Sequence, residues 1–125
     1  MTSAGLNPSY LSYFVPWDSH HNYEVAKRYG FRHMEREWGR EGAIENYNQI
    51  DSPAYLINHW FKYAKFGNTN VTEMASRYIR AGVMSREEAV ELVEKRDANL
   101  DQKILDDFTS FVGISTKDFW KIADK

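Results

Sequence analysis

The tightest constraint on this chain is its helical punctuation. Between Gly67 and Gly82, Val71, Met74, Ala75, Tyr78 and Ile79 stand at i, i+3, i+4, i+7 and i+8, the period of a helix with one buried face. The same grammar repeats on either side. Ser52-Pro53 opens a helix, with the serine as cap and the proline in the first turn, where its missing N–H costs nothing. Leu56, Trp60 and Ala64, flanked by Ile57 and Phe61, supply the apolar face of that helix. Ser85-Arg86-Glu87-Glu88 has the form of a capping box ahead of Ala89, Leu92 and Val93. Ile104, Leu105, Phe108, Phe111 and Val112 mark a further helix stopped at Gly113. The last begins at Ser115 with Asp118 three residues on, and Ile114 and Phe119 have the spacing of a hydrophobic staple.

Upstream of Ser52 the pattern loosens. Residues 1–9 are rich in Ser, Gly, Asn and Pro and read as a disordered lead. Leu11 to Val15 is a β-favourable run stopped by Pro16, and a single strand must pair with another chain, lie as an extended arm or be the edge of a larger sheet. Asp18 or Ser19 caps a helix that runs to about Tyr29 and stops at Gly30. Residues 31–51 contain Gly39 and Gly42 and no clean period. The like-charge pairs Arg36/Arg40 and Glu37/Glu41 weigh against a continuous helix, so this stretch reads as a long irregular loop with at most one helical turn. Such a loop in a compact domain is more often functional than filler.

The expected fold is therefore mainly α: a compact array of about five to six short helices with one N-terminal extended strand or arm. One helical domain spans 10–125, divided into an extended strand at 10–17, a helix plus long loop at 18–51 and a helical array at 52–125.

Composition narrows the chemistry. The chain has 125 residues, 42% of them hydrophobic, and sixteen Lys+Arg against eighteen Asp+Glu for a net charge of −2. That balance gives no overall field for nucleic acid or an acidic membrane, and no window reaches the length of an apolar membrane span. The absence of cysteine removes disulfides, thiolate zinc sites and a cysteine nucleophile. His20 and His21 are adjacent, His33 and His59 stand alone, and no spacing suits a metal. No phosphate-loop, dinucleotide or nucleophile-elbow motif is present. Glu35, Glu37, Glu41 and Glu45 include a conceivable general base, but nothing fixes one in place and a solvated loop is the expectation. The chain is expected to be cytoplasmic.

The one candidate for chemistry is the junction "NHWFKYAKFGNTNVTEMASRY", residues 58–78. Lys62 and Lys65 lie three apart near a helix C-terminus, where two cations complement the dipole. Beyond Gly67, Asn68-Thr69-Asn70 lead into a new helix whose unpaired N–H groups would converge with Lys65 on an anion such as phosphate. Asn70 with Glu73 also reads as a helix cap, which would occupy one of those donors. Arg77 and Arg80 share a face of the new helix, either solvated or, for Arg80, turned toward the junction. Trp17-Asp18 either stacks and orients a ring-shaped ligand or packs and caps a helix.

From Lys65 to Asp97, "KFGNTNVTEMASRYIRAGVMSREEAVELVEKRD", the sequence resembles the N-acetyl sugar amidotransferase family of surface polysaccharide (lipopolysaccharide) biosynthesis. The resemblance extends through "YFVPWD", "AKRYGF", "EGAIENYNQID" and "VGISTKDFW", from about Tyr10 to Ile122. It implies an enzyme similar to ATP pyrophosphatases of the PP-loop class. Such an enzyme uses ATP, with Mg, to activate a sugar acetamido group so that ammonia from a partner glutaminase converts it to acetamidino. The family's Ser-Gly-Gly-x-Asp-Ser loop and Cys-x-Tyr-Cys element are absent, so the likeness is to the C-terminal portion, not catalytic alone, with an N-terminal nucleotide-binding domain as its partner. No cofactor is assigned to this chain. Asn70 and Met74 stand where the family usually has Arg and often His. Lys65, Thr72, Glu73 and Arg80 match, and the resemblance implies that Lys65 and Arg80 steady a leaving pyrophosphate, with Trp17 and Asp18 as further binding candidates.

The alternative is a non-catalytic interaction module, possible as a homodimer, in which Trp60, Phe61 and Tyr63 meet a partner. An RNA-binding appendage is a weaker third reading given the acidic balance.

Overall fold

A computed structural model describes residues 5, 8–34, 40–48, 50–52 and 54–124. Its described residues form six α-helices: α1 (Ser19–Arg28), α2 (Ala54–Phe66), α3 (Asn70–Arg80), α4 (Arg86–Arg96), α5 (Gln102–Val112) and α6 (Thr116–Ala123). The mainly α, short-helix architecture is as the punctuation implies. No described residue is in a β-strand. Residues 1–32 form one unit and residues 33–125 another.

In the first unit, the expected strand at Leu11–Val15 is instead a 3-10 turn over Leu11–Tyr13. Phe14 and Val15 N–H both donate to the Leu11 carbonyl, at 2.9 and 3.1 Å. With no second strand among the described residues to complete a ladder, these backbone groups satisfy one another locally. α1 is capped as expected: the Asp18 carboxylate accepts from the His20 and His21 N–H at 2.9 and 3.1 Å. Neither the turn nor α1 contains a buried residue. Of the lead at 1–9, residues 1–4, 6 and 7 lie outside the described residues.

The second unit holds the core. Leu56 and Ile57 of α2, Ile104 and Leu105 of α5 and Phe119 of α6 are buried together, with Trp60, Phe61, Phe108 and Trp120 packed around them. Phe119 is the hub of the aromatic cluster, with ring centroids 5.8 Å from Trp60, 5.9 Å from Phe61, 6.1 Å from Phe108 and 5.2 Å from Trp120. α2 packs on α5, α5 on α6, and α3 on α4. The α3 stripe of Val71, Met74, Ala75 and Tyr78 is buried as its period requires, whereas Ile79 at its margin is exposed. Phe111 and Val112, at the end of the α5 stripe, are exposed too.

Local caps set most helix ends. Ser85 and Glu88 form the full capping box, with Glu88 N–H to Ser85 Oγ at 3.2 Å and Ser85 N–H to Glu88 Oε2 at 2.8 Å. Gly113 ends α5 in the left-handed conformation, φ 72°. Ser52 Oγ accepts from the Ala54 N–H at 3.3 Å, while Pro53 lies outside the described residues.

Candidate functional site

At the α2–α3 junction the structure does build an anion site, and fills it. The cap of α3 is Thr69, not Asn70, and Asn70 is the first, buried, helical residue. Asp97, at the end of α4 and 4% exposed, projects its carboxylate onto the first turn of α3. It accepts from Thr69 N–H at 3.1 Å, Thr72 N–H at 3.1 Å, Thr72 Oγ1 at 2.8 Å and the Thr69 hydroxyl. A negative group at a helix N-terminus is the arrangement that orphan N–H groups and the helix dipole favour. Here that group belongs to the protein.

This and a neighbouring ion pair engage three of the residues singled out by sequence. Thr72 spends its hydroxyl on Asp97. Glu73 does not fold back to cap α3 but pairs with the Lys62 ammonium, so Lys62 is the lysine drawn toward α3. Lys65 stands in the last turn of α2 and Arg80 in the last turn of α3, both exposed. Neither has an ion-pair partner among the described residues. The eleven residues of α3 rise about 16 Å, so that length of helix separates the junction from Arg80. Asp18 is engaged as the α1 cap, and Trp17 is 70% exposed, which removes core packing as its role. Trp60 and Phe61 are half-buried in the aromatic core. The Trp60 indole N–H donates to the Ala98 carbonyl at 3.2 Å, so these rings are committed internally.

A second location emerges from the irregular loop. The expectation of a solvated loop fails at Arg40, Ala43 and Glu45, all buried. Several contacts pin it in the second unit. Glu41 N–H donates to Asp101 Oδ2 at 3.0 Å, Arg96 Nη1 to the Ala43 carbonyl at 2.6 Å, and the Tyr47 and Tyr78 hydroxyls meet at 2.5 Å. Gly42 has φ 69°, and a Cβ there would lie 2.5 Å from the Asn99 carbonyl oxygen, so only glycine permits this approach. Arg40 Nη1 donates to the Asn48 carbonyl at 2.9 Å and Nη2 to the Glu45 carbonyl at 2.8 Å, closing the loop on itself.

Between this loop and the end of α4 lies a cleft of about 430 Å³, lined by Arg40, Glu41, Glu45, Lys95, Arg96 and Asn99 among others. The Glu45 side chain is only 4% exposed and 3.7 Å from Arg40 Nη2. Neither of its carboxylate oxygens completes a hydrogen bond among the described residues. Burial pushes its carboxyl up to about 7, against the opposing pull of Arg40 and of the nearby backbone amides of Glu45 and Ile44. Burial likewise lowers the Arg40 guanidinium, against the pull of Glu45 and Asp101. Of the other acids weighed as a general base, Glu41 is exposed and Glu35 and Glu37 lie outside the described residues. No metal-binding cluster of acids and histidines occurs among the described residues, and no described helix is long and apolar enough to cross a membrane.

Six short helices, an α3 N-terminus closed by Asp97 and a cleft at the end of α4 place the described residues in the all-α class. The particular family follows from comparison. Residues 9–125 match the family model described as LPS biosynthesis protein WbpG-like, C-terminal domain, and the chain belongs to that family. Comparison with curated proteins and with solved structures gives no match.

Proposed function

We propose that this domain serves an N-acetyl sugar amidotransferase of lipopolysaccharide sugar biosynthesis, working in the cytoplasm with a nucleotide-binding domain and a glutaminase. The observation that carries the reading is the family match across 9–125. In the full reaction ATP adenylylates the acetamido oxygen with release of pyrophosphate. Ammonia then adds to the activated carbon and AMP leaves, giving the acetamidino group. The helical domain contributes binding and charge, not proton transfer, and does not turn over alone.

Lys65 and Arg80 support this role because they are exposed cations without ion-pair partners among the described residues. With α3 between them, they suit an extended ligand such as a nucleotide sugar better than a lone pyrophosphate. Thr72 and Glu73 serve by holding the frame on which Lys65 and Arg80 are displayed.

Calorimetric titration with ATP, pyrophosphate and a UDP-N-acetyl sugar tests the reading. We expect the nucleotide sugar to bind, and Lys65→Ala and Arg80→Ala each to weaken it by about tenfold, as loss of one charge-assisted contact does. Absence of binding by all three, together with a stable dimer, would replace it with an interaction module. Exposed Phe66, Phe111 and Ile122 favour that alternative more than the internally committed Trp60 and Phe61 do.

A further inference from the structure

The arm that precedes α1 takes no part in the proposed function. Residues 10–17, Tyr-Leu-Ser-Tyr-Phe-Val-Pro-Trp, carry no charge, and Tyr10, Leu11, Tyr13, Phe14, Val15 and Trp17 are each more than half exposed. An aromatic side chain buries about 150–250 Å² when covered, so Tyr10, Tyr13, Phe14 and Trp17, each at least 70% exposed, offer roughly 400–800 Å². Leu11 and Val15 add to that. The largest apolar patch on a typical monomer is roughly 300–600 Å², whereas one partner in a standard protein–protein interface contributes about 800 Å². The arm is on the scale of an interface.

It is also shaped in advance. Tyr13 N–H donates to the Tyr10 carbonyl at 3.0 Å, Phe14 and Val15 share the Leu11 carbonyl, and the Asp18 cap starts α1 directly after Trp17. Pro16 fixes its own φ. Less backbone freedom is then lost on docking.

Charge describes the partner. Lys27 is paired with Glu24 and Asp18 is spent on the α1 cap, which leaves exposed Arg28 and Arg32 without ion-pair partners among the described residues. A face complementary to this unit is apolar with an acidic rim. Two copies meeting arm to arm would set these arginines against their own like. A segment that lies on a lipid surface is rich in Lys and Arg, which the uncharged arm is not. The family is defined as a C-terminal domain, and its match opens at residue 9, at the foot of the arm. In proteins of that family the arm is therefore the part of this domain nearest in sequence to the one before it.

We infer that residues 10–17 are the surface by which this domain docks on its nucleotide-binding domain, with Phe14 and Trp17 as anchors in an apolar face and Arg28 and Arg32 on its acidic rim. The choice of partner rests on the proposed function; the docking surface rests on the arm itself.

The test mixes the whole chain with a separately expressed nucleotide-binding domain of a WbpG-like protein, shown to be folded by its binding of ATP, and follows them by calorimetry and sedimentation. A one-to-one complex should form with a Kd of about 10 μM or tighter. Phe14→Ala and Trp17→Ala should each weaken it about tenfold or more. Phe111→Ala, which removes an equally exposed ring outside the arm, and Lys65→Ala should not. Because Phe14 and Trp17 are exposed, neither variant should melt below the parent. The inference is overturned if no complex forms or if it survives both arm substitutions. It is overturned equally if Phe14→Ala instead abolishes a dimer of the chain alone, or its binding to vesicles of phosphatidylglycerol. Nucleotide-sugar binding through Lys65 and Arg80 is read on the chain by itself, so failure of that reading and failure of this one are separate results.

Discussion

Glu45 shows what a single buried carboxyl does to a small domain. Its ordinary value is 4.5 and burial raises it to about 7, so between those pH values the folded protein holds a proton that the unfolded chain has released. Stability is therefore greatest below about 4.5 with respect to this group and falls as pH rises to about 7, by about 3 kcal/mol. His59 acts in the opposite sense, since burial and the Lys62 charge lower its imidazole and stability is lost as pH falls through its range. A comparison with Glu45→Gln cancels His59 and isolates the carboxyl. Urea unfolding across pH 4 to 8 should show the parent losing ground to the variant as pH rises, with the two curves parallel above about 7. Curves parallel throughout would mean that the carboxyl is not held out of water. The sequence displayed Glu45 only as one of four acids in an unpatterned loop. What distinguishes it is burial beside Arg40, which no local signal carries.

At the scale of the helix, the contrast is between ends set locally and ends set at a distance. Asp18, Ser85, Ser115 and Gly113 act within three or four residues of themselves, and each was legible from its neighbours. The start of α3 was legible in place but not in cause. Asn70 looked like the cap because it lies nearest, whereas the anion that closes the helix is Asp97, twenty-five residues beyond Thr72. The β-favourable residues of Leu11–Val15 misled for a related reason, because strand preference has no effect without a partner strand. Asp97→Ala should cost about 3 kcal/mol in urea unfolding, since it leaves the N–H groups and hydroxyls of buried Thr69 and half-buried Thr72 without their shared acceptor. Glu73→Gln, which loses the half-exposed pair with Lys62, should cost less than about 1 kcal/mol. Equal costs would show that Asp97 is a surface cap like any other. The same occupancy bears on function, because a carboxylate seated on the α3 N-terminus leaves no room there for a ligand phosphate.

For the molecule as a whole, the distribution of burial predicts a distribution of stability. The second unit has a core of aliphatic and aromatic side chains centred on Phe119, while the ten-residue α1 of the first unit has no fully buried residue. Isolated helices shorter than about 12–15 residues are marginal in water, and the local contacts of α1 include an Asp18 cap, an exposed Lys27–Glu24 pair, the Lys27 ammonium over the Tyr23 ring and an edge contact between Tyr23 and Phe31. Opening such a segment exposes no fully buried side chain of its own, whereas opening α3 or α5 exposes Met74 or Leu105. Hydrogen exchange should accordingly find amides of residues 19–28 exchanging orders of magnitude faster than those of residues 74–79 and 105–109. Protection in α1 equal to that in α5 would require apolar burial that its own side chains do not show. Five of the seven aromatic residues carried by the first unit, Tyr10, Tyr13, Phe14, Trp17 and Tyr29, are each at least 70% exposed, so protection gained by α1 on adding a partner domain would report where those rings are covered.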